Sequence, residues 1–376
     1  MGRLRVAFVA PSLRILGGQA VQADRLLKAW RDDADVDAWL VAVNPEPPAL
    51  LGWTSRVKYL RTVINELVYG PELLRQLSRA DIVHVFSASY TSFLLAPLPA
   101  IVIARALGRP VLLNYRSGEA PDHLTRSAIA RAALARVDAN VVPSRFLVDV
   151  FDRFGIEATV IPNVVDPDRF SFRERHPLRP RLVCTRNFDA LYNVACTLRA
   201  FQIVQARHSD ATLTLVGGGR GDRELRSLVD TLGLRNVTFA GRVAPDDMPA
   251  YYHANDIYVQ SPRIDNMPTS VIEAFACGLP VVSTRVGGIP AIVTHDVNGL
   301  LATDDDHEEL AAHVLRLLDD PPLVQRLTHA AQASSRACTW SAVRESWLAV
   351  YQRVLRTASS RQPFLARSAR SGRRAA

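Results

Sequence analysis

One stretch limits the fold more than any other. Residues 257–259 are a short apolar run that ends in a turn at Ser261-Pro262, and a polar loop from Arg263 to Thr269 follows. A helix then starts near Ser270 and carries Val271, Ile272, Ala274, Phe275 and Ala276. Cys277-Gly278 ends it, because glycine suits the left-handed position after a last turn, and Pro280 blocks continuation. Residues 281–283 are the next buried strand, and Gly287-Gly288 turns the chain again. Buried strand, loop, helix and buried strand form the repeating unit of an α/β fold.

The same unit recurs along the chain. Residues 5–10 read as a buried strand, Leu16-Gly17-Gly18-Gln19-Ala20 as a glycine loop, and residues 21–30 as a helix. In a doubly wound domain ligands gather at such strand carboxyl ends. The spacing is not the dinucleotide fingerprint G-x-G-x-x-G, and a competing reading is that Gly17 and Gly18 only let helix and strand pack closely. Further strands are expected at 36–43, 81–86, 111–115, 139–143 and 159–161. Arg116, Glu119 and His123 follow the 111–115 strand and are site candidates, Glu119 and His123 on the acceptor side. Glu119 is also readable as a turn cap and His123 as a structural residue.

Residues 173–181 are charged and carry Pro177 and Pro180, which reads as a linker. A second series starts at Leu182, with strands at 182–185, 212–216 and 237–240, the triplet Gly217-Gly218-Gly219, and helices to about 208 and over 222–232 and 248–254. Helices at 308–318, 322–337 and 342–355 close the chain. Two such series predict two doubly wound, Rossmann-like domains facing a cleft. The expected division is 1–172, linker 173–181, 182–338, a helix at 339–358 packing back towards the first domain, and a basic tail at 359–376.

The length of 376 residues suits two domains. Of the net charge of +8, five arginines between Arg361 and Arg374 supply +5 with no acid nearby, which leaves +3, ordinary for a soluble enzyme. That tail reads as an attraction to anionic lipid or as a solvated end. Residues 57–77 read as a basic amphipathic helix, a membrane-surface helix or simply a domain face. Nucleic-acid binding is disfavoured, because the charge sits mainly in the tail without interleaved aromatics. Cys184, Cys196, Cys277 and Cys338 lack paired or metal-ligand spacing, which points to a reducing, cytoplasmic setting. Residues 3–10 read as a first strand rather than a leader, and the longest apolar run, 93–104, is too short to span a bilayer. The Asp-x-Asp pairs at 33–35, 35–37, 166–168 and 304–306 bring no convergent oxygen ligands, so no metal is expected.

The chemistry concentrates before the 270s helix. Free amides and the dipole at a helix start favour an anion. Glu273, read as lying in the first turn, and Asp265 before it supply acceptors for hydroxyl groups. Phosphate on the amides and hydroxyls on the carboxylates describe a nucleotide sugar. The competing reading has Glu273 merely offsetting the dipole and Asp265 solvated.

On these motifs the chain resembles the retaining nucleotide-sugar glycosyltransferases of family four, with the GT-B fold. IEAFACGLPVVSTRVGGIPAIV (272–293) resembles that family's second-acid segment, VIPNVVDPDRF (160–170) its linker motif, and LTLVGGGRGDREL (213–225) with VTFAGRV (237–243) its glycine loop and base-side strand. The resemblance implies that Glu273 holds ribose hydroxyls, Asp265 faces the transferred sugar and Arg186 neutralises the leaving diphosphate. It also implies that Pro268, Thr269 and Ser270 cradle phosphate with Gly218, that Gly17 and Gly18 approach the donor, and that Val243 lines the base. A surface ion pair is the competing role for Arg186.

The chain departs from the family pattern at several places. Asp265 replaces a glutamate, and Pro268, which has no N–H to donate, replaces a glycine. The N-domain histidine is replaced, with Arg116 as its nearest match. The phosphate lysine after the arginine is absent, which removes a charge-assisted contact of about 1.5–3 kcal/mol; Tyr192-Asn193 stands in its region, and Asn193 is read as donor-binding in its place. The implied activity is metal-independent, retaining transfer from a nucleotide-diphosphate sugar to a glycan or lipid-linked acceptor of cell-surface glycan synthesis. The alternative is a sugar-nucleotide-binding partner that has lost turnover.

Overall fold

The computed structural model describes residues 3–14, 17–45 and 58–361. It contains two six-stranded sheets, both parallel throughout. The first is built from β1 (Leu4–Ala10), β2 (Val36–Ala42), β3 (Ile82–Ser87), β4 (Val111–Tyr115), β5 (Ala139–Val142) and β6 (Thr159–Val160), in the order β2-β1-β3-β4-β5-β6. The second is built from β7 (Arg181–Cys184), β8 (Thr212–Val216), β9 (Val237–Gly241), β10 (Ile257–Val259), β11 (Val281–Thr284) and β12 (Leu300–Ala302), in the order β12-β11-β10-β7-β8-β9. Every residue of β3, β4, β10 and β11 is buried, as parallel strands covered by helices on both faces must be. These are the two expected Rossmann-like domains.

Strand order reverses direction between β1 and β3 in the first sheet and between β7 and β10 in the second. Such switch points open a crevice at the strand carboxyl ends. Arg186 follows β7 and the 260–268 loop follows β10, so both start from the switch point of the second sheet.

The chain divides as residues 1–142, 148–161 and 344–376 against 143–147 and 162–343. The crossing therefore falls before the charged 173–181 stretch, and the reason is local. Arg175 is buried and donates to the carbonyls of Tyr252, Arg173, Asn255 and Cys277, tying this stretch to two helix ends of the second domain. Asn163 Nδ2 donates to Met267 O at 2.6 Å. The helix Trp340–Arg361 passes to the first domain at Arg344, which pairs with Asp33 at 2.7 Å and Asp35 at 2.6 Å. Those carboxylates of the apparent Asp-x-Asp pair are thus used in an ion pair.

Two elements were not expected. β12 is only three residues long, and the helix Ala120–Arg126 hides behind Pro121 at its first turn, a position where proline is tolerated. The backbone of Lys58–Leu77 is helical. The side chains that carry its membrane-surface reading, Lys58, Leu60, Arg61, Val63, Ile64 and Leu67, lie outside the described residues, as do Leu16 and the tail beyond 361. Among the described residues no helix is long and apolar enough to cross a membrane, and no group of three His, Cys, Asp or Glu is placed to hold a metal. All four cysteines are free and buried.

Candidate functional site

The second-domain site grows from the helix Thr269–Ala276, which begins directly after Pro268. Pro268 sits at the N-cap with extended backbone and offers no side-chain acceptor. The helix starts one residue earlier than expected, which corrects the position of Glu273. It lies in the second turn, buried, where Tyr252 Oη donates to its Oε2 at 2.7 Å. Its carboxylate is held by that phenol rather than set against the dipole.

Arg186 reaches this helix start. Its Nη1 donates to Ser270 Oγ at 3.3 Å, its Nη2 to Asp265 Oδ2, and its Cζ lies 4.0 Å from the centroid of the Tyr192 ring. Tyr192, in the region of the missing family lysine, is therefore an aromatic lid on the arginine, a cation–π contact. Asp265 Oδ1 accepts from Asn266 N at 2.7 Å. Burial is the largest single influence and opposes the Arg186 charge, but Asp265 together with Tyr192, Tyr258 and Cys184 outweighs it and the pKa is raised. This is a buried pair, not the surface ion pair of the competing reading.

A polar network lies beneath. Tyr258 Oη donates to Gln260 Oε1 at 3.0 Å and lies 2.8 Å from Ser270 Oγ, and Thr185 Oγ1 is 3.1 Å from Tyr252 Oη. Both phenols are buried, and burial raises the pKa of each. The chain Glu273–Tyr252–Thr185 and the chain Tyr258–Ser270–Arg186–Asp265 thus fix the two acids and the arginine from below. A buried network of this kind holds side chains in one arrangement, although Arg186 Nε has no partner in it.

Two glycine positions show how tightly the loops meet. A Cβ on Gly217 would stand 2.1 Å from Arg186 O. A Cβ on Gly287, where φ is +51°, would stand 2.0 Å from Asp265 O. The glycine loop after β8 and the turn after β11 therefore brace the backbone of Arg186 and Asp265. Gly218 lies beside Arg242, whose Cγ would be 3.2 Å from an added Cβ. Val243 is half-buried against the core around Tyr252. Asn193 has a left-handed backbone (φ 45°), and its amide donates to Asp305 Oδ1 at 2.8 Å, so the structure uses its side chain to hold the loop.

In the first domain, Gly17 and Gly18 start the helix Gly18–Trp30, and a Cβ on either would meet nothing within 4 Å. Close packing of helix on strand does not require them, which overturns the packing reading. Gln19 Nε2 donates to Ser87 O at 3.0 Å, at the end of β3. Past β4, Arg116 Nη1 donates to Asn114 Oδ1 at 3.2 Å. Asn114 Nδ2 lies 3.1 Å from His84 Nε2, and His84 Nδ1 lies 2.9 Å from Tyr351 Oη. With the amide donating, the His84 proton is assigned to Nδ1. Burial, with the Arg116 charge adding to it, holds the His84 pKa well below the usual value, so the ring is neutral.

His123 is buried and shares a 2.8 Å hydrogen bond with the Tyr115 hydroxyl, which also meets Ser89 Oγ at 2.9 Å. Burial lowers its pKa. Burial, with Asp122 nearby, raises the pKa of Glu119, whose side chain makes no cap hydrogen bond. Tyr90, at φ 54°, donates to Asp122 Oδ2 at 2.6 Å, and its pKa is pushed up to about 12, first by burial.

Sequence reasoning missed Tyr252, Tyr258, Thr185, His84 and Tyr351. Tyr252 sits 21 positions from its carboxylate and Tyr351 267 positions from His84, so no local spacing signals either contact.

Comparison with known proteins gives the context. Residues 16–169 match the family model described as Glycosyltransferase Family 4, and residues 179–320 the one described as Glycosyl transferases group 1. A GDP-mannose-dependent alpha-(1-6)-phosphatidylinositol monomannoside mannosyltransferase of Mycolicibacterium smegmatis is 29% identical over 285 residues, 69% of this chain and 73% of that protein. A glycogen synthase of Mycobacterium tuberculosis is 27% identical over 304 residues, 76% of this chain and 72% of its own. The crystal structure of Anabaena HepE in complex with UDP-glucose superposes with a TM-score of 0.73 at 18% identity, covering 95% of this chain and 100% of that one. The two matched stretches and the shared architecture make this chain a glycosyltransferase of the family-four type with the GT-B fold.

Proposed function

We propose that the protein moves a hexose from a nucleotide-diphosphate sugar to a hydroxyl acceptor with retention of anomeric configuration. The observation that carries this reading is the Arg186 guanidinium held at the start of the helix Thr269–Ala276, between Ser270 and Asp265. As the bond between the anomeric carbon and the phosphate oxygen breaks, negative charge builds on the diphosphate. A preorganised guanidinium beside helix-start amides stabilises that charge without reorganising. The acceptor oxygen bonds to the anomeric carbon from the leaving-group face, and its proton passes to the departing phosphate oxygen, so no strong enzyme base is needed. Gly218, Thr269 and Ser270 line the diphosphate, Val243 lines the base and Glu273 accepts from the ribose hydroxyls. Arg242, beside Gly218, offers a second cation where the family lysine is missing.

Without ligand the Asp265 carboxylate occupies the face of Arg186 that a phosphate needs. On donor binding the phosphate takes that face and Asp265 turns to the hydroxyls of the transferred sugar. No metal takes part in this scheme. The acceptor is a lipid-linked or polysaccharide intermediate of cell-surface glycan synthesis, a reading supported by the phosphatidylinositol mannoside in the name of the Mycolicibacterium relative. The protein works in the cytoplasm, and its basic 58–77 helix or its tail touches anionic membrane.

The test is to incubate purified protein, with and without EDTA, with GDP-mannose or UDP-glucose and simple acceptors, and read the product by NMR. Metal-independent transfer with retained configuration is expected. An inverted anomer would remove the retaining mechanism. Donor binding without hydrolysis or transfer would establish the alternative, a binding partner without turnover.

A further inference from the structure

The carboxyl end of β4 carries a charge that no carboxylate among the described residues of its own domain answers. Among the described residues no carboxylate pairs with Arg116, and its Nη2 has neither a hydrogen-bond partner nor solvent. Two buried arginines of the second domain differ. Arg186 meets Asp265, and Arg175 meets Asp256 at 3.6 Å besides its four carbonyls. The surroundings of Arg116 are neutral and fixed: the Phe86 ring, whose centroid lies 5.5 Å from Cζ, the Asn114 amide, and the neutral His84 behind it. Burial alone pushes the Arg116 pKa down to about 9, which still leaves it charged at neutral pH.

A buried cation without a counter-ion is a net cost to folding. That cost persists where a ligand supplies the missing charge. The position suits a ligand. Tyr115, just before Arg116, pairs in register with Ser87, and the Ser87 carbonyl holds Gln19 at the start of the helix Gly18–Trp30. Arg116 thus stands next to the strand that borders the switch point of the first sheet, where open α/β sheets take their ligands. The first turn of that helix holds no acid and has open space over Gly17 and Gly18, so its dipole adds positive potential.

We propose that Arg116 seats a second anionic group of the substrate pair, a sugar carboxylate or a phosphate monoester, distinct from the diphosphate assigned to Arg186. The inference rests on that assignment and narrows it: one of the two substrates is acidic beyond its diphosphate. A guanidinium meets a carboxylate or phosphate with two parallel hydrogen bonds, and a neutral sugar cannot replace that contact.

The experiment is calorimetric titration of the full-length protein, with nucleoside diphosphate alone as the reference ligand. One arm compares UDP-glucuronate with UDP-glucose. The other compares glycerol 1-phosphate with glycerol in the presence of saturating nucleoside diphosphate. In the wild type one acid should bind about tenfold or more tightly than its neutral twin, the strength expected of a charge-assisted pair. Arg116→Met should erase that preference and Arg116→Lys should keep part of it. The first arm identifies a donor-borne carboxylate and the second an acceptor-borne phosphate. The proposal is overturned if neither acid is preferred, or if the preference survives Arg116→Met. Absence of nucleoside diphosphate binding in the wild type would sink the donor reading itself, and the proposal with it.

Discussion

Two arginines stand just beyond strand ends in the two domains and meet opposite surroundings. Arg186 after β7 already has a counter-ion before any ligand arrives: Asp265, with Ser270 and the Tyr192 face beside it, although its Nε has no hydrogen-bond partner. Arg116 after β4 meets an amide and an aromatic ring, and among the described residues no carboxylate pairs with it. The contrast separates two ways of keeping a cation ready. A paired guanidinium costs the fold little, but a ligand must displace its partner. An unpaired one costs the fold more and is free for its ligand at once.

The sharpest way to break this comparison is to remove the paired cation. Arg186→Met should weaken nucleoside diphosphate binding by about a hundredfold or more, roughly 2.7 kcal/mol, as read by calorimetry. An unchanged affinity would place the diphosphate elsewhere. Removing the partner instead should act in the opposite direction. Asp265→Asn abolishes the competing charge, so nucleoside diphosphate should bind about three- to tenfold more tightly while turnover of the full donor falls. A weaker nucleoside diphosphate affinity in this variant would show that Asp265 positions Arg186 rather than competing for it.

The smallest effect concerns the neutral floor under Arg116. Burial first, and then the charge of Arg116, keep the His84 pKa well below 6.5 in the folded protein. The unfolded chain binds that proton below about pH 6.5 and the folded one does not. Stability is therefore present above that pH and lost as pH falls, by about 1.4 kcal/mol per unit for this one group. Melting curves between pH 7 and 5 should be less pH-dependent in His84→Gln than in the wild type. The slope is the readout, because the substitution also changes packing against Phe8, Phe86 and Trp347. Equal slopes would mean that His84 is charged in the native state, and Arg116 would then face a second cation.

Much of the fold was legible because local chemistry fixes it. Gly278 and Pro280 end a helix wherever they occur, and the short apolar runs at 111–115, 212–216 and 257–259 can only be buried strands in a chain that alternates them with helices. The segment around Asp265 and Glu273 was recognisable from the same local run of residues. The boundary between domains was not, since a charged, proline-bearing stretch looks like a linker until Arg175 is seen capping two helix ends.

The amino-acid order by itself determined the succession of strands and helices, the glycine turns and the presence of two acids before and within one helix, because each depends on neighbours a few positions apart. Only the tertiary structure decided what those acids do. Arg186 and Asp265 are 79 positions apart and meet because β10 lies beside β7 rather than beside β9. The same sheet order brings Tyr258 under Ser270, and helix packing brings Tyr252 to Glu273. Which arginine finds a carboxylate and which is left without one follows from sheet order and burial, and no local pattern of residues encodes that.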